Sequence, residues 1–209
     1  MAVITNYATL QTAIADYLAR DDLTSYIPNF IQNAENKLYR MLNLRNEETA
    51  LSESISSGSV AVPSDFKALK FAYYNSSPVS LLQWMPIEDL YRKYPDRSEV
   101  TTPLAISREG ANFVFGPVSS DGTLKGIYYA KKAPLRTTDP SWYVTNAPEV
   151  LLYGSLLESE PFSPSDERLQ LLLPIWQRMF DQAVETLRLE NSNAEASRGA
   201  VYSQPAEVR

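Results

Sequence analysis

Any catalysis by this chain would have to rely on carboxylates, Lys, Tyr or bound Mg²⁺, because its 209 residues include no cysteine and no histidine. That excludes Ser-His-Asp hydrolysis, Cys-His catalysis, disulfides, and zinc or iron held by Cys or His. Acidic residues do occur in pairs, at Asp21/Asp22, Glu47/Glu48, Glu88/Asp89 and Asp166/Glu167. Two carboxylates can divide acid and base work on a glycosidic bond when a cleft holds them at a set separation. Each of these pairs falls instead in a turn or a first helical turn, where carboxylates cap or stay solvated. With 7 glycines there is neither a G-x-G-x-x-G nor a Walker sequence, so no phosphate cradle is legible. No catalytic, cofactor-binding or metal-ligating residue is assigned, no cofactor is expected, and a non-enzyme is the expectation.

Aromatic residues are the other candidates. Phe71, Tyr73, Tyr74, Phe113, Phe115, Tyr128 and Tyr129 lie in stretches that read as strands. They could form a sugar-binding platform, which keeps a carbohydrate-binding or cell-wall-active tail component as the alternative function. Sheet core and cross-strand pairs are the commoner use of such residues. Adjacent tyrosines, Tyr73-Tyr74 and Tyr128-Tyr129, send one ring to each face of a strand, so one ring of each pair needs cover outside the sheet's own core.

The elements that would position these residues begin and end with helices. Asn6–Leu18 and about Thr24–Leu42 carry apolar residues at helical spacing, the second as Ile27, Phe30, Ile31, Ala34, Leu38 and Met41. From about residue 45 the pattern changes to short strands separated by turns: Glu48–Ile55, Ser59–Val62, Phe66–Tyr74, Val79–Trp84, Leu104–Arg108, Asn112–Phe115 and Thr123–Ala130. These read as a meander, interrupted by a short helix at Pro86–Arg92. Two more helices fill Thr145–Glu190. The first is expected to start at Asn146, with Glu149 completing a capping box. The second is expected to start at Ser163, with Pro164 in its first position, and to run roughly 27 residues, about 40 Å.

That second helix has two apolar rows. Leu169, Leu172, Leu173, Trp176, Phe180, Ala183, Val184 and Leu187 make the first; Leu171, Ile175 and Met179 lie to one side. A wide apolar arc fits either a central helix within one chain or burial against a second subunit. Leu171, Ile175 and Met179 are therefore the candidate subunit interface. Pro174 cannot donate to Gln170, so a kink is expected there. The stretch 191–209 is rich in Ser, Ala and Asn and should be disordered in isolation, with Val201 and Tyr202 as anchors if it folds onto a partner.

The expected fold is α+β: a four-helix bundle from residues 1–44 and 141–190, an inserted β-rich region over 45–140, and an extended C-terminal tail or flexible arm over 191–209. The net charge of −6 argues against tight nucleic-acid binding. No apolar run is long enough to span a bilayer and no signal pattern opens the chain, so no membrane role is expected.

Three stretches resemble the head-to-tail adaptor (connector) proteins of short-tailed bacteriophages, the tail tubular protein A type. They are Tyr7–Leu18, Tyr26–Leu44 and Trp142–Phe162; the run Asn-Ala-Pro-Glu-x-x-Leu-Tyr-Gly-x-Leu-Leu-Glu at Asn146–Glu158 is the closest of them. The resemblance implies a structural virion protein at the head-tail junction, assembled in the host cytoplasm. Twelve copies would form a homo-oligomeric ring below the portal protein, joined to the tail nozzle protein and to a tail fibre or tailspike. DNA would pass through without specific binding. It also implies that the C-terminal arm, with Val201 and Tyr202, reaches the portal.

Overall fold

The computed structural model describes residues 3–98, 100–119, 121–162 and 165–202, with side chains described as far as residue 195. The chain forms two compact units: Met1–Asn46 with Ala133–Arg209, and Glu47–Lys132.

The first unit is helical. Helix α1 (Tyr7–Leu18) starts on a capping box, in which Asn6 Oδ1 accepts the Thr9 N–H at 2.8 Å and Thr9 Oγ1 accepts the Asn6 N–H at 3.0 Å. It ends on Ala19 in a left-handed conformation, φ 47°. A 3₁₀ segment, Asp21–Tyr26, leads into α2 (Ile27–Met41), with Pro28 in the first turn where its missing N–H costs nothing. After the second unit the chain returns through α4 (Trp142–Asn146), α5 (Pro148–Leu157) and α6 (Glu167–Tyr202).

Helix α5 is the hub, packed against α1, α2, α4 and α6. Val150, Leu151, Leu152, Gly154, Ser155 and Leu156 are all buried, as expected of a helix that is apolar all round. Gly154 lets α2 and α6 approach: a Cβ there would sit 3.0 Å from the Phe180 ring and 3.3 Å from Ala34 Cβ. Lys37 of α2 pairs with Glu158 at the end of α5.

The second unit is a seven-stranded sheet built from β1 (Glu48–Ser54), β2 (Ser59–Ala61), β3 (Phe66–Tyr74), β4 (Ser80–Trp84), β5 (Ala105–Glu109), β6 (Asn112–Gly116) and β7 (Thr123–Ala130). Its strand order is β1-β7-β3-β4-β5-β6-β2. A bridge between Ser56 and Ser59 brings the chain after β1 against the start of β2, so the sheet curls into a nearly closed barrel. All neighbours are antiparallel except β4 and β5, which are parallel. A parallel pair needs a crossover, and α3 (Ile87–Lys93) lies in that connection. Alternate residues of β7 point inward: Leu124, Gly126, Tyr128 and Ala130 are buried. At Gly126 a Cβ would lie 2.3 Å from the Phe71 carbonyl oxygen, so only glycine allows β3 to cross so close.

This corrects the expected four-helix bundle with an inserted β-rich region and an extended C-terminal tail. Among the described residues there are six α-helices and a seven-stranded mixed sheet that forms its own nearly closed barrel. Three physical reasons account for the difference. Pro148 occupies the first turn of α5, so the chain breaks at Ala147, and Asn146 ends α4 rather than capping the next helix. The strands do not follow meander order, because β7 inserts between β1 and β3 and the crossover sets β5 parallel beside β4. The supposed tail continues α6 as helix to Tyr202, since extending a helix already nucleated is far easier than starting one.

Candidate interaction surfaces

The carboxylate pairs are mostly occupied in holding the fold. Asp22 pairs with Arg20 at 2.6 Å, and the bond from Arg20 holds the Asp22 carboxyl below its usual range. Glu47, fully buried, pairs with Lys67 at 2.7 Å, and Glu48 with Lys70 at 2.6 Å. Asp89 pairs with Arg92 within α3 at 3.0 Å. Asp166 caps α6: its Oδ1 accepts the Leu169 N–H at 3.1 Å, and Arg20 donates to it at 3.2 Å. That backbone bond, then Arg20, lowers the Asp166 pKa. The helix thus begins at Glu167, and the expected start at Ser163 and Pro164 lies outside the described residues. Among the described residues no group of three or more acidic residues is placed to hold a metal ion.

Arg168, in the first turn of α6, donates to the carbonyls of Leu18 at 2.9 Å and Tyr17 at 3.1 Å. These are the unsatisfied last-turn carbonyls of α1, so the N-terminal end of α6 is locked to α1 at a fixed angle. From there Leu169, Leu173, Trp176, Phe180, Ala183, Val184 and Leu187 are buried in the helical core. The side row behaves differently. Leu171 is 75% exposed, Ile175 44% and Met179 38%. They stand one turn apart on a rigid helix, forming a continuous apolar ridge in solvent. Pro174 lies inside the helix beside it.

Near the other end of α6 lies a groove that the sequence does not announce. Leu44, Trp142, Leu187 and Ala194 line a cavity of about 370 Å³, rimmed by Arg45 and Glu190. Asn191 holds its wall in place: its Oδ1 accepts the Arg45 N–H at 2.9 Å, and its Nδ2 donates to the Asn43 carbonyl at 3.3 Å. A second pocket, about 230 Å³, flanks Asn191 and includes Met41 and Arg188. The lining residues come from three distant stretches, so no local spacing could have found them. The only sequence hint is that the row Leu173, Phe180, Leu187, Ala194, Val201 keeps a seven-residue repeat beyond the buried core. Val201 and Tyr202, the candidate arm residues, sit at the end of α6, and their side chains lie outside the described residues.

Glu35 is a separate feature of the helical unit. It is 3% exposed and accepts the Leu135 N–H at 2.9 Å. Burial pushes its pKa up, and the backbone bond only partly opposes this.

The aromatic strand residues divide between the two faces of the sheet. Phe113, Phe115 and Tyr128 belong to the barrel core. The Tyr128 hydroxyl donates to Asp65 at 2.9 Å, and burial, then Asp65, pushes its pKa up to about 12. Phe71 and Tyr73 face outward, with ring centroids 6.3 Å apart and planes within 12°. Leu81, 72% exposed, stands opposite Tyr73 on β4.

The described residues thus present an exposed apolar ridge, a groove and an outward aromatic pair. No curated protein matches the chain, and no helix among the described residues is long and apolar enough to cross a membrane. A family model described as SU10 adaptor protein matches residues 5–209, nearly the whole length. The chain therefore belongs to the SU10 adaptor protein family, whose members are structural adaptors of bacteriophage particles.

Proposed function

We propose that the protein is a structural head-to-tail adaptor without turnover. Copies assemble in the host cytoplasm into a ring of twelve below the portal protein. The ring attaches the tail nozzle protein and a fibre or tailspike, and DNA passes through without specific binding. The observation that carries this is the ridge Leu171, Ile175 and Met179 on the longest helix of a family of adaptors. An exposed apolar row on a locked helix is costly to a solitary chain and useful to a chain with neighbours. The terminal turns of α6, with Val201 and Tyr202, serve as the portal-binding arm. Net charge of −6 suits a channel that must not retain DNA.

The test is to mix the protein with its portal and image the product by cryo-EM. A ring of adaptors on the portal is expected, and bare portals would refute the proposal. Deleting residues 196–209, which spares the Asn191 and Ala194 of the groove, isolates the arm; unchanged portal attachment would remove that part of it.

A carbohydrate-binding tail component remains a second reading, favoured by the nearly coplanar, outward Phe71 and Tyr73 rings. Tyr128 drops out of that platform because it is buried. Glycan-array binding that is lost in Tyr73→Ala would support it; no binding would remove it.

A further inference from the structure

We infer that the ridge of one copy seats in the Trp142-lined groove of the next, so that copies join head to tail through two different surfaces of the helical unit. This rests on the ring reading above and says which surface meets which. The ridge supplies three bulky apolar knobs, Leu171, Ile175 and Met179, all exposed. The groove supplies the matching hole, about 370 Å³ floored by Leu187 and Ala194 and walled by Leu44 and Trp142. Trp142 is 37% exposed there, an indole face waiting for an apolar neighbour, of the kind that dominates interface energetics.

Geometry on a single helix prevents a chain from filling its own groove. Ile175 and Ala194 are nineteen residues apart on α6, which is about 28 Å along the axis and about 100° around it. Ridge and groove therefore point in different directions from positions fixed by one rigid element. When two distinct patches on one protomer are complementary, the contact is heterologous and propagates from copy to copy, giving a ring when the rotation closes.

Charge favours the same pairing. Arg178 stands exposed between Ile175 and Met179 on the ridge side, and Glu190 is exposed on the groove rim. Neither has an ion pair among the described residues. Seating the ridge with Arg178 towards Glu190, and away from the Arg45 that shares the rim, sets one orientation. One such exposed pair adds little to affinity, so it sets register more than strength.

The natural absence of cysteine makes a clean test. Ile175→Cys and Ala194→Cys are introduced singly and together, and ring formation on the portal is confirmed by mass photometry before adding a short bis-maleimide. The double variant should give a covalent ladder reaching the full ring. Mixed single variants should give dimers only, and each single variant alone should stay uncoupled. Rings that form without a ladder would overturn the pairing while leaving the ring intact. Ile175→Cys alone giving dimers would mean ridge against ridge and would also overturn it. If neither variant nor wild-type chain forms rings, the ring reading fails and the pairing with it. As a second arm, Arg178→Glu should weaken assembly several-fold, and adding Glu190→Arg should restore it; no restoration counts against the register.

Discussion

The helical unit and the barrel solve the same problem, an apolar surface larger than one face can hide, in different ways. In the barrel a period of two sends Leu124, Tyr128 and Ala130 of β7 inward, and near-closure pairs most of the strand edges. In the helical unit a period of 3.6 wraps apolar residues around the helices. Helix α5 can bury that whole circumference because four other helices surround it. Helix α6 cannot: it runs 36 residues along the unit's flank, and its second row stays in solvent. Near-closure covers the apolar face of the sheet, whereas α6 leaves one of its two apolar rows in solvent.

The two cores can be destabilised one at a time. Phe180→Ala in the helical unit and Phe113→Ala in the barrel each remove a buried ring, and each should cost about 3–5 kcal/mol. Urea unfolding followed by hydrogen exchange should show each loss confined mainly to its own unit. If either variant lowered protection equally in both units, the division into separately stabilised cores would be wrong.

A smaller effect separates the units by how their helices and strands begin. Asn6→Ala removes the capping box of α1 and should cost about 0.5–2 kcal/mol, with faster exchange in the first turns of α1 and no change in β1 to β7. Thermal melts with residue-level exchange would check this; unaltered α1 protection would discount the cap.

The finest contrast is between two buried glutamates. Glu47 in the barrel is ion-paired to Lys67, whereas Glu35 in the helical unit accepts a backbone N–H and has no ion pair among the described residues. Burial raises the Glu35 pKa, so the folded state favours its protonated form. The stability linked to this group is complete below the unfolded value, about 4.3, and is lost as pH rises through the raised folded value. Glu35→Gln keeps an acceptor for Leu135 and should raise Tm at pH 7 while changing little below pH ~4. Glu47→Gln should do the reverse at pH 7, because it breaks an ion pair. Tm shifts of the same sign in the two variants at pH 7 would erase the distinction.

Much of the secondary structure was legible locally. β3 and β7 fall at Phe66–Tyr74 and Thr123–Ala130, and α1 begins after Asn6, because turn residues and caps act over three or four positions. Asn146 misled because its capping pattern was locally valid, yet Pro148 two residues later set the start of α5. The tail misled because composition measures the stability of an isolated segment, and this one is attached to a long helix. The ridge was visible as a period in the sequence. The groove was not, because Leu44, Trp142 and Ala194 meet only after the chain has left for the barrel and returned.

By itself the sequence determined the available chemistry, which has no thiol or imidazole, and the periods of its helices and strands. These depend only on residue type and near neighbours. The tertiary structure alone decided which apolar rows are covered, since exposure depends on what the rest of the chain brings alongside. On α6 it covers Leu173, Trp176 and Phe180 and leaves Leu171, Ile175 and Met179 to the solvent. Both rows are apolar, and packing into the helical core, chiefly against α5, distinguishes them.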